Sequence, residues 1–162
     1  LAGRAVFWDI TNTELQQRPG YEHVPAVAPE VAGERLARLA AEHDLVLFEC
    51  FQPDRLGHRK DADAALAFLS LLDCFLGAAV DHLPSDAGLV LCSDHGNLED
   101  LSSGGHTRNP VPRLVIGPAA EQFAGATDIT HVAPAIYQAL GLGSLSTCRP
   151  CPCDGGGRAG RD

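Results

Sequence analysis

The sequence has no methionine, and basic side chains are scarce. Only 12 Lys and Arg stand against 21 Asp and Glu, so the formal net charge is −9. Binding to the phosphate backbone of nucleic acids requires clustered Lys and Arg that displace counterions, so this balance argues against a nucleic-acid partner. Because the chain opens on Leu-Ala-Gly and not on methionine, we expect a fragment or a processed piece of a longer protein.

Long hydrophobic runs are also missing from the pattern. No segment approaches the roughly 20 consecutive apolar residues of a membrane span, and no basic stretch precedes an apolar one as in a signal peptide. The sequence therefore predicts a protein without a membrane partner. Apolar residues still make up 45% of the chain, which is enough to bury the core of one ordinary domain.

The cysteines lack the even spacing of a secreted disulfide framework. Three of them lie inside apolar runs and are expected to be buried free thiols: Cys50, Cys74 and Cys92. The other three fall in a Cys/Pro/Gly-rich tail, residues 144–162, which we expect to be disordered. This distribution favours a reducing compartment, and we predict a cytoplasmic location.

Strand-like and helix-like patterns alternate along residues 1–143, which we predict to form one partial domain. Short apolar runs typical of buried strands cover residues 5–10, 45–48, 89–92 and 113–116. Helical spacing covers residues 29–43, 61–83 and 132–140, and polar connections cover residues 11–29, 52–60 and 93–112. The alternation predicts an α/β fold, a mainly parallel sheet with helices on both faces and functional loops at the carboxyl ends of its strands.

Possible metal ligands cluster in the connections that follow these strands. Asp54 and His58 are four residues apart and could grip one ion if the turn between them is helical. Asp94 and His95 follow the next strand, and His106 lies on the loop that returns to the last one. Carboxylates with imidazoles favour Zn²⁺ or Mn²⁺, and the absence of cysteine from these loops argues against a structural zinc site.

Each motif taken alone has a simpler interpretation, since Asp54 and Asp94 could cap turns and the histidines could be polar surface. The three motifs in this order, however, resemble the C-terminal half of cofactor-independent phosphoglycerate mutase and phosphopentomutase, in the alkaline phosphatase superfamily. The motifs are Asp54-Arg-Leu-Gly-His58, Ser93-Asp-His-Gly-Asn97 and His106-Thr-Arg-Asn-Pro-Val-Pro112.

The resemblance implies an alkaline-phosphatase-like core whose N-terminal part is missing from this chain. It carries Asp54, His58 and His106 over to one divalent metal ion, Mn²⁺ or Zn²⁺, and Asp94 and His95 to a second. The implied function is a metal-dependent phosphatase or phosphomutase acting on a small phosphorylated metabolite. The missing N-terminal part of the same domain would be a partner, and the chain alone would be nearly inactive.

The family's Ser or Thr nucleophile has no counterpart in the sequence, so the catalytic residue stays unknown. Asp9 ends an apolar run, but no Gly-rich segment with a hydroxyl follows it, and Thr11 and Thr13 fit turn chemistry. Arg108 is the preferred phosphate contact, because a guanidinium binds oxyanions in a bidentate fork. The alternatives are a non-catalytic metal-binding remnant and a structural subdomain.

Overall fold

The computed structural model describes residues 3–143 of the chain. The chain divides into two compact units, Leu1–Glu121 and Gln122–Asp162. The predicted tail, residues 144–162, lies outside the described residues. The expectation of one partial domain over residues 1–143 stays a prediction.

Two long helices form the centre of the first unit, as the sequence predicts. Helix α1, Pro29–Glu42, begins with a proline in its first turn, where the missing N–H would have no helical partner. Helix α3, Ala62–Asp81, is capped by Asp61, whose carboxylate accepts a hydrogen bond from the Ala64 N–H at 3.0 Å. Both helices therefore start where local chemistry favours a start.

Helices α1 and α3 approach closely because α1 presents small residues to its neighbour. A Cβ at Gly33 would overlap the Phe75 carbonyl oxygen of α3 and would lie 2.8 Å from the Ala79 nitrogen. Phe75 is 1% exposed, and its ring centroid lies 5.2 Å from that of Phe48. Small residues of α1 therefore pack against larger side chains of α3 such as Phe75.

The buried face of α3 includes Phe68, whereas the neighbouring Leu69 is 43% exposed. By length and composition alone, α3 could cross a membrane, so the expectation that no segment reaches that limit is wrong. A core helix passes the same test. In the described structure 22% of this apolar window is buried, and Phe68 and Phe75 of α3 pack in one core with Leu56.

The connection predicted for residues 52–60 is in fact a helix, α2, Gln52–Arg59. Pro53 lies in its first turn, and Lys60 ends it in the left-handed conformation with φ 56°. The polar sequence of this helix did not indicate a helix, because only two of its residues, Leu56 and Gly57, are buried. A short helix with one narrow buried face carries little hydrophobic periodicity.

The described residues do not show the predicted parallel sheet; they contain a two-stranded antiparallel sheet. Strand β1, Leu89–Cys92, pairs with β2, Arg113–Ile116, in the register Leu89 to Ile116 and Cys92 to Arg113. The two strands run antiparallel because residues 93–112 fold back on themselves between them, without a helix that could carry the chain across the sheet.

The other two predicted strands do not form. Residues 7–10 make a turn in which the Ile10 N–H donates to the Phe7 carbonyl at 2.8 Å, and Ile10 has φ 67°. Residues 46–48 line an apolar cavity of about 160 Å³ together with residues 88–91, and they form no ladder with β1. Apolar runs alone therefore did not determine strand pairing.

The described cysteines are free, as expected, but their burial differs from the prediction. Cys50 is half-buried, and burial raises the pKa of its thiol. Cys74 and Cys92 are exposed. Cys74 lies on α3 away from the buried residues, and Cys92 is the last residue of a strand in a small sheet, so an apolar run did not guarantee a buried position.

The remaining elements are short. The 3₁₀ helices within residues 3–143 cover Leu15–Gln17, Pro118–Phe123 and Ile129–His131. In the second unit, helix α4, Val132–Ala139, confirms the predicted closing helix. Asp128 caps the turn before it by accepting from the Thr130 N–H at 2.9 Å, and His131 is exposed.

Candidate metal centre

Helix α2 places Asp54 and His58 on one face, one turn apart. The Asp54 Oδ1 atom lies 3.3 Å from His58 Nε2. The condition stated for this pair, a helical turn between the two residues, is therefore met.

The loop of residues 93–112 brings His106 to the same carboxylate oxygen. His106 Nε2 lies 3.3 Å from Asp54 Oδ1, and the candidate ligand atoms of Asp54, His58 and His106 all lie within 4.8 Å of one another. Within residues 3–143 this is the group of three ligand-type side chains with spacing suited to an ion. Side-chain exposures of 41%, 44% and 52%, in that order, leave it open to solvent.

Two contacts tie this loop to α2. His58 Nδ1 lies 3.0 Å from the Gly104 carbonyl oxygen, and Lys60 Nζ donates to the Ser102 carbonyl at 2.9 Å. Because a carbonyl can only accept, His58 Nδ1 carries the proton in this contact. The other ring nitrogen, Nε2, faces Asp54 Oδ1 at 3.3 Å, and a ring that keeps its proton on Nδ1 can offer Nε2 to a metal ion.

A close approach at Gly57 also holds the loop against α2. A Cβ on Gly57 would overlap the Asn97 side chain, which is 4% exposed. The ligand helix and the loop can thus meet only because position 57 has no side chain.

Within the loop, an antiparallel pairing of Gly96 with Thr107 sets the two histidine-bearing segments side by side. The Thr107 N–H donates to the Gly96 carbonyl at 2.8 Å, and a Cβ on Gly96 would overlap the Thr107 hydroxyl. Gly96 is therefore needed for the close approach of these two segments. The rings of His95 and His106 stack with centroids 3.6 Å apart.

Asp94 and His95 lie beside the group but do not join it. His95 Nε2 is 3.4 Å from Asp94 Oδ2, and the Asp94 side chain is 76% exposed. Among residues 3–143 no group of three ligand-type side chains with mutually close ligand atoms includes this pair. A second metal at Asp94 and His95 stays a prediction.

Several buried polar atoms at this place have no hydrogen-bond partner among the described residues: Asp54 Oδ1, His95 Nδ1, and both amide atoms of Asn97. An unsatisfied buried polar group costs about 1–3 kcal/mol, so such atoms are rare in folded proteins. A divalent cation would satisfy Asp54 Oδ1, and one carboxylate with two imidazoles leaves a coordination position open. The residues therefore fit a metal ion.

The other residues singled out in the sequence lie elsewhere. Arg108 is exposed and forms no hydrogen bond or ion pair within residues 3–143. Asp9 is 3% exposed, and its carboxylate accepts from the backbone N–H groups of Asn12 at 3.0 Å and Glu14 at 2.5 Å. Asp9 is thus used in turn chemistry, and Thr11 and Thr13 share a hydroxyl contact of 3.0 Å in that turn.

Helix α2 is also fixed from the opposite side, by Glu14. Arg55 Nη1 and Gln52 Nε2 each donate to the Glu14 carboxylate at 2.6 Å. Burial raises the pKa of Glu14, but the hydrogen bonds from Arg55 and Gln52 outweigh it and lower that pKa below its ordinary value. The Arg55 guanidinium is therefore paired with the Glu14 carboxylate.

Sequence reasoning missed Glu99. Its carboxylate accepts hydrogen bonds from the Thr107 hydroxyl, from Asn109 Nδ2 at 3.0 Å and from the Asn97 N–H at 2.6 Å. The Thr107 hydrogen bond is the largest cause that lowers the pKa of Glu99 to about 2. No local spacing signals contacts eight and ten residues apart inside a loop.

Comparison with known proteins decides the family. The sequence matches the Metalloenzyme superfamily over residues 8–144. The chain belongs to this superfamily. Membership confirms the resemblance to the alkaline phosphatase superfamily that the three motifs indicated. All five predicted ligand residues of this superfamily member fall within the matched region.

Three similar proteins are each named 2,3-bisphosphoglycerate-independent phosphoglycerate mutase. The one from Halobacterium salinarum is 35% identical over 155 residues, 86% of this chain and 30% of its own length. The one from Desulforudis audaxviator is 35% identical over 133 residues, which is 76% of this chain and 26% of its own length. The one from Cereibacter sphaeroides is 32% identical over 123 residues, which is 71% of this chain and 24% of its own length. The superfamily member thus spans about a quarter to a third of these relatives, and no solved structure matches it.

Proposed function

We propose that this chain belongs to a metal-dependent phosphoryl-transfer enzyme, a phosphatase or phosphomutase, in which Asp54, His58 and His106 hold one divalent ion. The observation that carries the proposal is the convergence of these three ligand atoms within 4.8 Å around an Asp54 oxygen that has no hydrogen bond. Mn²⁺ and Zn²⁺ suit such a mixture of carboxylate and imidazole.

The names of the relatives support a small phosphorylated acid, such as phosphoglycerate, as substrate. Arg108 is exposed two residues beyond His106 and could grip a phosphate oxygen. We assign Asp94 and His95 to a second ion, as the resemblance implies. The negative balance of the chain, −9, suits a site that concentrates cations.

Each residue of the group has a physical role in this proposal. A bound divalent ion would supply positive charge that stabilises the phosphoryl oxygens. Asp54 would neutralise part of that charge and orient both imidazoles, which lie 3.3 Å from its Oδ1. The Gly104 carbonyl would keep the proton of His58 on Nδ1, away from the site.

The group that accepts the phosphoryl unit would come from outside the described residues. The Thr107 hydroxyl donates to Glu99, and the Ser93 hydroxyl donates to the His95 carbonyl at 2.8 Å, so neither is free at the site. We propose that a further segment, in the same polypeptide or a partner, supplies this hydroxyl and completes the alkaline-phosphatase-like sheet. Such a segment would account for the length of the relatives.

Metal titration by calorimetry tests the site directly. We expect Mn²⁺ or Zn²⁺ to bind the unaltered chain, and His58→Ala to weaken binding strongly because a ligand is lost. His82→Ala is the matched control, since His82 is also an exposed histidine at a helix end, and its ring contacts the Ala78 carbonyl at 2.9 Å and Glu34 at 3.9 Å, away from the ligand group. Equal affinities of the two variants would contradict the assignment.

Acidification gives a second check on the ligands. Protons compete with the ion for imidazole nitrogens and carboxylate oxygens, so metal affinity should fall as the pH is lowered. An affinity independent of pH would show that other groups hold the ion.

Hydrolysis of p-nitrophenyl phosphate tests the activity, in the chain alone and in a version extended at its N-terminus. We expect metal-dependent turnover in the extended protein only. Metal binding without turnover in both would favour the non-catalytic metal-binding protein, and equal, metal-independent rates in both would refute phosphoryl transfer by this site.

A further inference from the structure

We propose that Glu99 is a positioning residue, a carboxylate clamp that holds His106 at the metal site by joining the two segments of the loop that carry the histidines. The inference rests on the proposed function, because it concerns how a ligand of that site is held. Glu99 itself is exposed and is not a member of the three-ligand group.

His106 needs such a clamp because little else holds its ring. Among the described residues His106 forms no hydrogen bond, and its side chain is 52% exposed on a loop. Its contacts are the stacking on His95, a tilted ring contact with His58 at 5.1 Å between centroids, and the 3.3 Å approach to Asp54. The position of the ring therefore depends on how the backbone on each side of the loop is fixed.

Glu99 fixes both sides at once. Its Oε2 accepts from the Asn97 N–H at 2.6 Å, two residues after His95. Its Oε1 accepts from the Thr107 hydroxyl, next to His106, and from Asn109 Nδ2 at 3.0 Å. One carboxylate thus joins the segment that follows His95 to the segment that follows His106.

The clamp fits only because the loop is built around it. A Cβ on Gly96 would lie 2.5 Å from Glu99 Oε1 and would overlap the Thr107 hydroxyl. The Gly96–Thr107 backbone pairing then closes the same contact from the other side. The Glu99 hydrogen bonds and the Gly96–Thr107 backbone pairing thus hold the two segments at the same separation. At that separation the rings of His95 and His106 stack.

The hydrogen bonds made at position 99 require a carboxylate, because both of its oxygens act as acceptors. Glu99 accepts at both oxygens, whereas a glutamine would present an NH₂ group to one of the donors and lose that bond. An aspartate is one methylene shorter and would reach only one segment. We therefore expect Glu99→Gln to loosen the clamp and Glu99→Ala to abolish it.

The test measures the clamp without metal and then with it. In the metal-free chain, nuclear Overhauser contacts between the ring protons of His95 and His106 report the stacking. We expect these contacts in the unaltered chain and in the control Glu42→Gln, an exposed glutamate at the end of α1, and expect them to weaken in Glu99→Gln and vanish in Glu99→Ala.

Metal affinity is the second readout. Residues that orient metal ligands typically change affinity by about 10–100-fold, so we expect a loss of that size in Glu99→Ala, a smaller one in Glu99→Gln and none in Glu42→Gln. The visible absorption bands of bound Co²⁺ should also change in Glu99→Ala, because the ligand geometry changes. A purely structural role would leave these bands unaltered in the folded variant.

The outcomes separate the clamp from the metal site. Inter-ring contacts and affinity that persist in Glu99→Ala overturn the clamp. If the unaltered chain binds no metal, the proposed function fails, while the ring contacts still test the clamp. If Glu99→Ala does not fold, Thr107→Val removes one donor at nearly constant shape and should weaken the same ring contacts; unchanged contacts there overturn the inference.

Discussion

The α1–α3 core and the loop of residues 93–112 are held together by different interactions. In the core, Gly33 lets two helix backbones meet, and Phe75 is 1% exposed. In the loop, exposed polar side chains such as Glu99 make the connections. Apolar burial therefore stabilises the fold, while a few directional hydrogen bonds place the candidate ligands.

This difference predicts that stability and metal binding can be changed separately. A substitution in the core should lower the free energy of unfolding and leave the ligand geometry alone while the protein is folded. A substitution in the loop or in its contact with α2 should alter metal affinity at a smaller loss of stability. Four substitutions or conditions test the separation, beginning with the largest effect.

Phe75→Ala should destabilise the protein most, by about 3–5 kcal/mol, because it leaves a cavity where α1 and α3 meet. Urea unfolding followed by circular dichroism measures the change. Leu66→Ala is the control on the same helix, since Leu66 is 65% exposed, and it should shift stability by no more than about 0.5 kcal/mol. Similar losses in both variants would mean that the buried face of α3 is assigned wrongly.

Asp54→Asn should reduce metal affinity beyond the roughly 100-fold upper range of changes at residues that only orient ligands. Loss of the charge near the start of α2 should change the stability of the metal-free protein by only about 0.3–1 kcal/mol. Calorimetric titration and urea unfolding of the same samples give both values. Asp73→Asn, at an exposed position of α3, should leave affinity unchanged, and a loss there equal to that of Asp54→Asn would point to nonspecific charge attraction.

Gly57→Ala should destabilise the contact between α2 and the loop by about 1–3 kcal/mol, because the new Cβ overlaps Asn97. Gly77→Ala is a matched control in helix α3, where a Cβ would meet nothing within 4 Å. That change should stabilise the protein by about 0.5–1 kcal/mol through helix propensity. If both substitutions stabilise, α2 and the loop are not in close contact.

The smallest effect concerns the pH dependence of stability. Folding lowers the pKa of Glu99 from its ordinary value of 4.5 to about 2, so the folded state favours the ionised form. The stability it contributes is present above pH 4.5 and is lost as the pH falls toward 2. The difference in unfolding free energy between the unaltered chain and Glu99→Gln should shrink over that window in urea titrations.

Thr107→Val tests whether the Thr107 hydrogen bond causes this pH dependence, since that bond is the largest contributor to the lowered pKa of Glu99. In that background the pH dependence due to Glu99 should be weaker. If the difference in unfolding free energy between the unaltered chain and Glu99→Gln stays constant from pH 5 to pH 2, Glu99 is not held by these hydrogen bonds.

Local signals in the sequence predicted a large part of this protein. Helical spacing located α1, α3 and α4, and two apolar runs located β1 and β2. The four-residue separation of Asp54 and His58 predicted their shared face, because side chains one turn apart on a helix lie side by side. The order of the three motifs predicted the superfamily, which the match over residues 8–144 confirms.

Only the tertiary structure decided how distant segments meet. His58 contacts Gly104 across 46 residues, and His106 reaches Asp54 through a loop whose spacing depends on Glu99. The apolar runs at residues 5–10 and 45–48 have strand-like composition, but strands exist only where a neighbour supplies hydrogen bonds. Periodicity reports the local environment of a residue, whereas pairing and ligand convergence depend on which parts of the chain become neighbours.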